Sequence, residues 1–359
     1  MRSIVLIIIV TLVLVSSSSA QFITFNPSYT FSTQTKANGM GEVGVSFTDE
    51  NNYYFNPANL GLLAFDNKIR ISGYLQKADF YFNNDINDNH FSTTVYTDQR
   101  ISLGLAYSRV KTASKNDDYL TDPYMLQLTN MFQRFTVGLG VRDEIEFALG
   151  VTLNIIEERY FETTRKDYTF DVGFRLGYRM LVIPDKRNNH YFRFNPSIGF
   201  ATVNNSREKV SSQYSMYYTM LQLPYLKRGG FSMAIAMGNK KRSVYHDYFS
   251  FVGAIEREWP EDYFSDFTKY GCEVTLFEIL SLRAGQSNFN EYKEKGLSLQ
   301  LEGIKKFLWA GKSEYEYRTL LSRLNLMFNF SRQKYEQISY AEAISYNHDY
   351  YEFIISFEL

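Results

Sequence analysis

The sequence contains little cysteine, proline or histidine and has almost no net charge. Its 359 residues include one Cys, seven Pro and four His, and 38 Lys and Arg stand against 39 Asp and Glu. The single Cys272 excludes a disulfide framework, and the charge balance argues against a nucleic-acid partner. No apolar run approaches the roughly 20 residues that a membrane-spanning helix needs. The abundant aromatic residues, 29 Tyr and 30 Phe, favour strands, so we expect an all-β protein.

Motifs for catalysis and for metal binding are also missing. None of the pairs formed by His90, His190, His246 and His348 has the spacing of metal ligands. No Gly-x-Ser-x-Gly or His-Glu-x-x-His motif occurs in the chain. We therefore expect no catalytic residue, no bound metal and no cofactor, and we do not expect an enzyme.

Residues 1–20 have the order of a secretory signal peptide. Arg2 precedes an apolar run from Ile4 to Val15, and small residues follow as far as Ala20. The run is too short to cross a bilayer as a helix. We expect cleavage after Ala20 and export of a mature chain that begins at Gln21.

Apolar residues alternate with small or polar residues along most of the chain, which is the pattern of β-strands. From Ile145 to Ile155 every second residue is apolar, and the positions between them hold Glu, Ala, Gly, Thr and Asn. Fifteen segments show a strand signal, among them 166–182 and 211–223. Residues 91–97 show the weakest one, and without them fourteen strands remain, an even number as is usual in bacterial barrels.

The second face of these strands separates two kinds of β-protein. A soluble sandwich or lipocalin-like barrel would also alternate, with its polar side chains facing water. Here the second face is rich in Gly, Ala and Ser with some charge, which suits the interior of a barrel whose apolar face meets lipid. We predict a transmembrane antiparallel β-barrel of about 14 strands over residues 67–359. The charged residues that we expect in its lumen, pairing with one another more readily than binding a solute, are Glu146, Asp171, Arg175, Arg179 and Arg283.

Short and long connections between the strands fit the same prediction. Asp143 and Glu144 form a two-residue turn, whereas 111–130 and 333–348 are long and polar, as outer loops are. The chain ends in an amphipathic strand, which we expect to pair with the first strand because a membrane barrel cannot leave an unpaired edge. One face of this closing strand carries Tyr351, Phe353, Ile355, Phe357 and Leu359.

Residues 21–66 do not follow the strand pattern. Asn26-Pro27, Gly39-Met40-Gly41 and Asn56-Pro57 are turn formers that lie too close together for membrane strands. We predict that this segment is a hatch, or plug, in the mouth of the barrel. Pro57 would fix the backbone there, and Asn56 would cap a turn through its side chain.

The same segment carries a motif that resembles a known family. A Gly-Met-Gly run is followed by Tyr-Phe-Asn-Pro-Ala, as in the N-terminal signature of the FadL-like outer-membrane barrels, most closely in their PorV/PorQ branch. A second similarity to PorV-like proteins runs from Gly271 to Val274 and from Leu282 to Gln286. The resemblance implies a fourteen-stranded barrel with an N-terminal hatch. Its motif residues are Gly39, Met40, Gly41, Asn56, Pro57 and Ala58.

Three functions follow from these expectations. FadL members move hydrophobic molecules across the outer membrane, and PorV members serve type IX secretion by receiving exported cargo proteins. We favour the PorV-like function, because the motif is closer to that branch and because the two predicted outer loops are rich in aromatic residues that suit protein partners. The alternatives are a FadL-like transporter of hydrophobic small molecules and a purely structural barrel. The expected partners are outer-membrane lipid, together with secretion-system proteins or cargo in the first case and a hydrophobic ligand in the second.

Overall fold

The structure is a computed structural model. It describes residues 35–40, 42–47, 52–63, 69–79, 84–98, 100–114, 128–160, 163–185, 190–205, 225–241, 244–260, 266–288, 293–301, 304, 324–338 and 343–358. The expected signal peptide at 1–20, the strand predicted at 211–223, and Gly41 and Leu359 of the predicted sites lie outside these residues. Within the described part of the chain, no helix is long and apolar enough to cross a membrane.

Short helical turns form the N-terminal part and strands form the rest. Helix α1 (Thr35–Asn38) is followed by two 3₁₀ helices, Asn52–Tyr54 and Pro57–Leu62. The strands are β1 (Ile69–Asp79), β2 (Asn84–Asp98), β3 (Ile101–Ser114), β4 (Leu128–Arg142), β5 (Ile145–Tyr160), β6 (Thr163–Tyr178), β7 (Met180–Asp185), β8 (His190–Val203), β9 (Leu226–Lys241), β10 (Val244–Pro260), β11 (Phe267–Leu276), β12 (Leu280–Ser287), β13 (Lys293–Gln300), β14 (Leu324–Ile338) and β15 (Ala343–Glu358).

All the strands of the described residues belong to one antiparallel sheet, in which sequence neighbours pair with each other except for β6 and β7, which both pair with β8. The last strand, β15, pairs with the first, β1, over ten residues of each from Arg70↔Glu358 to Asp79↔Asp349. Strand β6 pairs with β5 on one side and with β8 on the other, where Val172 lies opposite Thr202 and Gly177 opposite Ser197. The path of hydrogen-bonded neighbours that starts at β6 therefore leads through β1 and β15 back to β6.

Strands β6 and β7 behave as one strand. Gly177 lies opposite Ser197 of β8 and Met180 lies opposite Phe194, so one register continues across Arg179. The Arg179 N–H donates instead to the Glu144 backbone oxygen at 2.7 Å. Counted in this way, the fifteen strands of the described residues are fourteen, and the single strand predicted at 166–182 is close to the observed one.

Three sequence predictions need correction. The weakest predicted strand, 91–97, is the full strand β2, paired along both of its sides. The outer loop predicted at 333–348 is mostly strand, because β14 reaches Ile338 and β15 begins at Ala343. Strands β3 and β4 likewise extend into the loop predicted at 111–130. Backbone pairing needs no apolar alternation, so a strand that continues beyond an apolar zone loses the pattern while keeping its hydrogen bonds.

The two faces of the sheet follow the predicted alternation. On one face, here called the outer face, large apolar side chains are exposed: Ile145 by 59%, Leu149 by 47% and Leu153 by 45%. On the other, the inner face, Ala148 and Thr152 are fully buried. An exposed apolar face opposite a buried polar one reverses the arrangement of a soluble protein and is typical of membrane barrels.

The strands reverse direction at two opposite ends of the sheet. The end that holds the Asp143-Glu144 turn, the start of β1 and the end of β15 is called the turn end below. The opposite end, where β13 and β15 begin and β14 finishes, is called the loop end. The described N-terminal residues lie against the inner face.

Candidate functional site

The described residues between 35 and 63, here called the N-terminal segment, are almost entirely buried. Met40, Val43 and Val45 have no exposed surface, and neither does Asn56. Helix α1 contacts β13, β14 and β15, while the second 3₁₀ helix contacts β3, β4, β5 and β6. The segment therefore spans the inner face from one side to the other.

Asn56 makes three side-chain hydrogen bonds in the predicted Asn-Pro-Ala element. Its side-chain oxygen accepts the Ala58 N–H at 3.0 Å and so caps the 3₁₀ helix, in which Pro57 occupies the first turn. Its side-chain amide donates to the backbone oxygens of Val45 and Phe174, each at 2.9 Å. The residue thus joins both parts of the N-terminal segment to β6. Pro in the first turn and Asn at the cap are the positions that helix geometry favours.

Glycines of the inner face allow the backbone of the N-terminal segment to touch the strands. A Cβ at Gly104 would lie 2.5 Å from the Leu60 oxygen, and one at Gly138 would lie 2.5 Å from the Gly61 nitrogen. The strand positions at which a Cβ would collide with, or be crowded by, this segment, here called the wall glycines, are Gly104, Gly138, Gly140, Gly150, Gly173, Gly199, Gly271 and Gly296. Their neighbours in the segment include Gly39, Met40 and Pro57 of the predicted motif. The wall glycines of the inner face therefore leave the space that the backbone of the N-terminal segment occupies.

A group of buried charges holds the first half of the segment. The Glu256 carboxylate accepts the N–H groups of Gly44 and Val45 at 2.9 and 3.0 Å. Lys269 Nζ lies 3.0 Å from a carboxylate oxygen of Glu42 and 3.0 Å from one of Glu258. Arg228, on β9, completes the group with a 2.8 Å ion pair to Glu258. Buried charges need such partners, because each one loses its hydration.

A second buried group holds helix α1. Lys36 Nζ lies 3.0 Å from Glu273, and Arg283 Nε donates to the same carboxylate at 2.6 Å. Arg283 also bonds to Ser298, which in turn contacts Asn329. Gly39 lies directly against Gly296 and the Arg283 side chain. Strands β11 to β14 thus provide a continuous polar surface for the start of the segment.

The backbone oxygen of Ser46 accepts three hydrogen bonds from the inner face. Arg175 Nε donates to this oxygen at 2.8 Å, and the hydroxyls of Ser197 and Ser232 donate at 2.5 and 3.1 Å. Arg175 also lies 3.7 Å from Glu146. Donors from three neighbouring strands therefore converge on a single acceptor.

The five residues expected to face the lumen divide into two groups. Glu146, Asp171, Arg175 and Arg283 are at most 5% exposed and face inward. Asp171 pairs with Arg134 at 2.6 Å and accepts hydrogen bonds from Asn154 and the Asn204 N–H. Arg179 instead lies between β6 and β7 and is partly exposed. The four buried charges are used in pairs and in contacts to the N-terminal segment.

Sequence reasoning missed several residues of this site. Glu256 and Glu258 lie two residues apart in the strand predicted at 244–258. The rule that every second residue of a strand faces inward, which we applied to Glu146, would therefore also have placed Glu256 and Glu258 in the lumen. Lys36 and Glu42 could not have been found in this way, because the N-terminal segment has no strand periodicity.

Of the residues predicted on one face of the closing strand, Tyr351, Phe353 and Ile355 are exposed on the outer face and Phe357 is partly exposed.

The side chains of the inner face described above bind a segment of the same chain. Among the described side chains, no group of three His, Cys, Asp or Glu residues could hold a metal ion. His190 is exposed and His246 is partly exposed at the turn end. The chemistry of the inner face is that of ion pairs and hydrogen bonds to backbone.

Comparisons with known proteins give a likeness of fold. No family model matches the chain, and no curated protein matches it. A deletion mutant of the TodX monoaromatic hydrocarbon channel superposes with a TM-score of 0.50 at 10% identity, covering 90% of this chain and 98% of that one. The CymD monoaromatic hydrocarbon channel gives 0.46 at 9% identity, covering 90% and 97%. A FadL homologue of Pseudomonas aeruginosa gives 0.43 at 8% identity, covering 90% and 98%.

The first of these likenesses establishes the fold and nothing finer. The superposition with the TodX channel extends over 90% of this chain, which includes most of its antiparallel sheet. The expected relationship to the PorV/PorQ branch has no support in these comparisons.

Proposed function

We propose that this protein is an outer-membrane β-barrel through which hydrophobic small molecules cross, with residues 67–359 as the barrel and 21–66 as its hatch. Three observations support the proposal. The strand pairings return to their starting point, as a structure without free edges in lipid must do. The outer face is apolar and exposed. The fold is that of a channel for monoaromatic hydrocarbons. Export by a cleavable signal at 1–20 belongs to the same proposal.

The observation that carries the proposal is the position of the N-terminal segment. A diffusion pore for polar solutes needs a water-filled lumen. Here Gly150 of β5 and Gly173 of β6 lie against Pro57 and Asn56, and Gly271 of β11, four strands away from β6, lies against Met40. We infer that a segment in contact with the wall at these points restricts free passage of water-soluble molecules. If polar solutes are excluded, the solutes that can still pass are those that partition into apolar surroundings. The monoaromatic hydrocarbons named for the TodX channel are solutes of this kind.

One of the arguments for a role in the secretion of cargo proteins no longer holds. It depended on two long outer loops as partner surfaces, and one of them, 333–348, consists mostly of the paired strands β14 and β15. A purely structural barrel would be supported if no solute crosses the membrane in the uptake experiment below.

Uptake by intact cells tests the proposal. Cells that produce the protein should take up radiolabelled toluene several times faster than cells with an empty vector, while uptake of a labelled disaccharide stays at background. The folded state is checked in the same cells by the mobility shift between unheated and boiled samples. A folded protein in the outer membrane that leaves toluene uptake unchanged would contradict the proposal, and a co-purifying exported protein in that case would favour secretion.

A further inference from the structure

The hairpin between β11 and β12 turns at the turn end through two residues with left-handed backbone. Phe277 has a φ of 53° and Glu278 a φ of 56°, and the Ile279 N–H closes the turn by donating to the Leu276 oxygen at 2.9 Å. Hairpin turns with positive φ at both central residues strongly favour Asn and Gly, because a Cβ is crowded in this conformation. A bulky Phe at such a position costs stability. The turn itself therefore gives no reason for a phenylalanine.

The ring of Phe277 is exposed beside a second exposed ring. Phe277 is 59% exposed and Tyr248 is 41% exposed, and their ring centres are 6.3 Å apart. Tyr248 is the extra residue of a β-bulge in β10, where the pairing with β9 shifts between Asp247 and Phe249. Bulges of this kind re-aim a side chain. A left-handed turn and a bulge thus present two aromatic rings side by side at the surface.

Two hydrogen bonds join the turn to the bulge. The Phe277 N–H donates to the Tyr248 backbone oxygen at 2.9 Å. The Asp247 N–H donates to the Glu278 carboxylate at 2.6 Å. Backbone groups that the irregular geometry takes out of the strand pairing are satisfied in this way. The two rings, here called the aromatic pair, are therefore held at fixed positions.

The aromatic pair lies where the outer face changes from apolar to polar. Toward the loop end, the adjoining row of the sheet holds Phe249 with its opposite residues Met237 and Leu276. Toward the turn end, the next residues on the same face of β9 and β10 are Asn239 and His246, which are polar and partly exposed. Aromatic residues at the edge of an apolar band mark the level of the lipid headgroups in membrane barrels. The aromatic pair is thus continuous with the face that meets lipid.

We propose that the aromatic pair anchors the barrel in the headgroup region of the lipid leaflet at the turn end. Tyr248 combines an apolar ring with a polar hydroxyl, which suits a region that is apolar on one side and wet on the other. The Phe277 ring loses its contact with water there, and this burial offsets the cost of the left-handed turn. The inference rests on the membrane barrel of the proposed function but not on the solute that the barrel carries.

The stability of Phe277 variants in phospholipid vesicles tests the proposal. Urea unfolding is followed by the folded band of unboiled samples. We expect Phe277→Trp to keep the equilibrium constant for folding within about twofold and Phe277→Asn to lower it about tenfold, because the interface favours an aromatic ring. The turn alone predicts the reverse order, since Asn adopts positive φ more readily than Phe or Trp. Tyr248→Ser should lower the constant in the same direction as Phe277→Asn.

The depth of the aromatic pair in the bilayer is an independent measurement. The fluorescence that Phe277→Trp adds to that of the parent should be quenched more strongly by phospholipids brominated near the headgroup than by those brominated at the chain ends. Val151→Trp is the control, because Val151 is 49% exposed in the middle of the apolar series from Ile145 to Ile155. Its added fluorescence should show the opposite preference.

The outcomes separate this inference from the membrane barrel. A Phe277→Asn protein that is more stable in vesicles than the parent would overturn the proposal, because the turn alone would then decide stability. Quenching of the Phe277→Trp protein by neither brominated lipid would also overturn it and would leave the aromatic pair as a surface for another protein. A parent protein that does not enter vesicles would overturn the membrane barrel as well, whereas insertion without these preferences would leave the barrel intact.

Discussion

Asn56 in the N-terminal segment donates a hydrogen bond through its side-chain amide to the backbone oxygen of Phe174 in β6, at 2.9 Å. The same amide donates to the Val45 oxygen, and the side-chain oxygen accepts the Ala58 N–H. Both functions of the amide are therefore used in a site without exposed surface. A buried polar group that loses its partner costs more than the hydrogen bond itself contributes.

Asn56→Asp should reduce the free energy of unfolding by about 3 kcal/mol, because a carboxylate would face two carbonyl oxygens that it cannot satisfy. Thermal loss of the folded band in electrophoresis of unboiled samples measures the effect. Asn288→Asp is the matched control, since exposed Asn288 acts as an acceptor toward the Thr268 N–H at 2.7 Å and Asp keeps that role. Equal stability of the two variants would show that the Asn56 contacts do not hold the segment.

Gly150→Leu should displace the N-terminal segment, because a side chain at this position would occupy the place of the Pro57 and Ala58 backbone. Overpacking of this kind costs about 1–3 kcal/mol. We expect a lower unfolding temperature and, in cells, measurable uptake of the disaccharide that the parent excludes. Gly73→Leu is the control, because no atom lies within 4 Å of the Cβ added there. Disaccharide exclusion by a folded Gly150→Leu protein would argue against the segment as the permeability barrier.

Lys269→Met should be strongly destabilising, by about 3–5 kcal/mol, because it leaves the buried carboxylates of Glu42 and Glu258 without their shared cation. Lys166→Met removes a lysine that is 55% exposed and pairs with Glu157, and it should change stability by less than about 1 kcal/mol. Chemical unfolding in detergent compares the two. Similar effects in both variants would mean that the buried group around Glu256 has access to water and does not anchor the segment.

Leu149→Arg should hinder assembly in lipid vesicles by about 2–4 kcal/mol, because this side chain is exposed on the outer face and would place a charge in hydrocarbon. Glu144→Arg puts the same charge in the exposed turn between β4 and β5 and should fold as the parent does. The yield of the heat-sensitive folded band after refolding into vesicles gives the measurement. A Leu149→Arg protein that folds as well as the parent would reverse the assignment of the two faces.

Alternation in the sequence was enough to define most strands and both faces of the sheet. From Ile145 to Ile155 the apolar residues are exposed or partly exposed and the residues between them are buried, as the period of two requires. The Asp143-Glu144 turn was equally clear. These features are local, because each depends on residues that are close together in the chain.

Pairing decided what alternation could not. The sequence of β2 contains few apolar residues, and the outer parts of β14 and β15 have no apolar series. All of these parts are nevertheless paired with neighbouring strands. The number of strands depended on Arg179, where one register with β8 continues through a break in the strand. These features depend on pairing with strands that are distant in the sequence, so the pattern within one segment does not predict them.

The N-terminal segment shows the same limit most clearly. Its turn residues and the small residues of the strands were visible in the sequence as two separate facts. Only the tertiary structure brings Gly271 against Met40, and Glu256 against the N–H groups of Gly44 and Val45 more than two hundred residues away. Contacts between residues so far apart cannot be predicted from a periodic pattern in the sequence, because each residue type is determined by one buried contact. The face of a strand can be predicted, because the same choice of residue type is repeated at every second position.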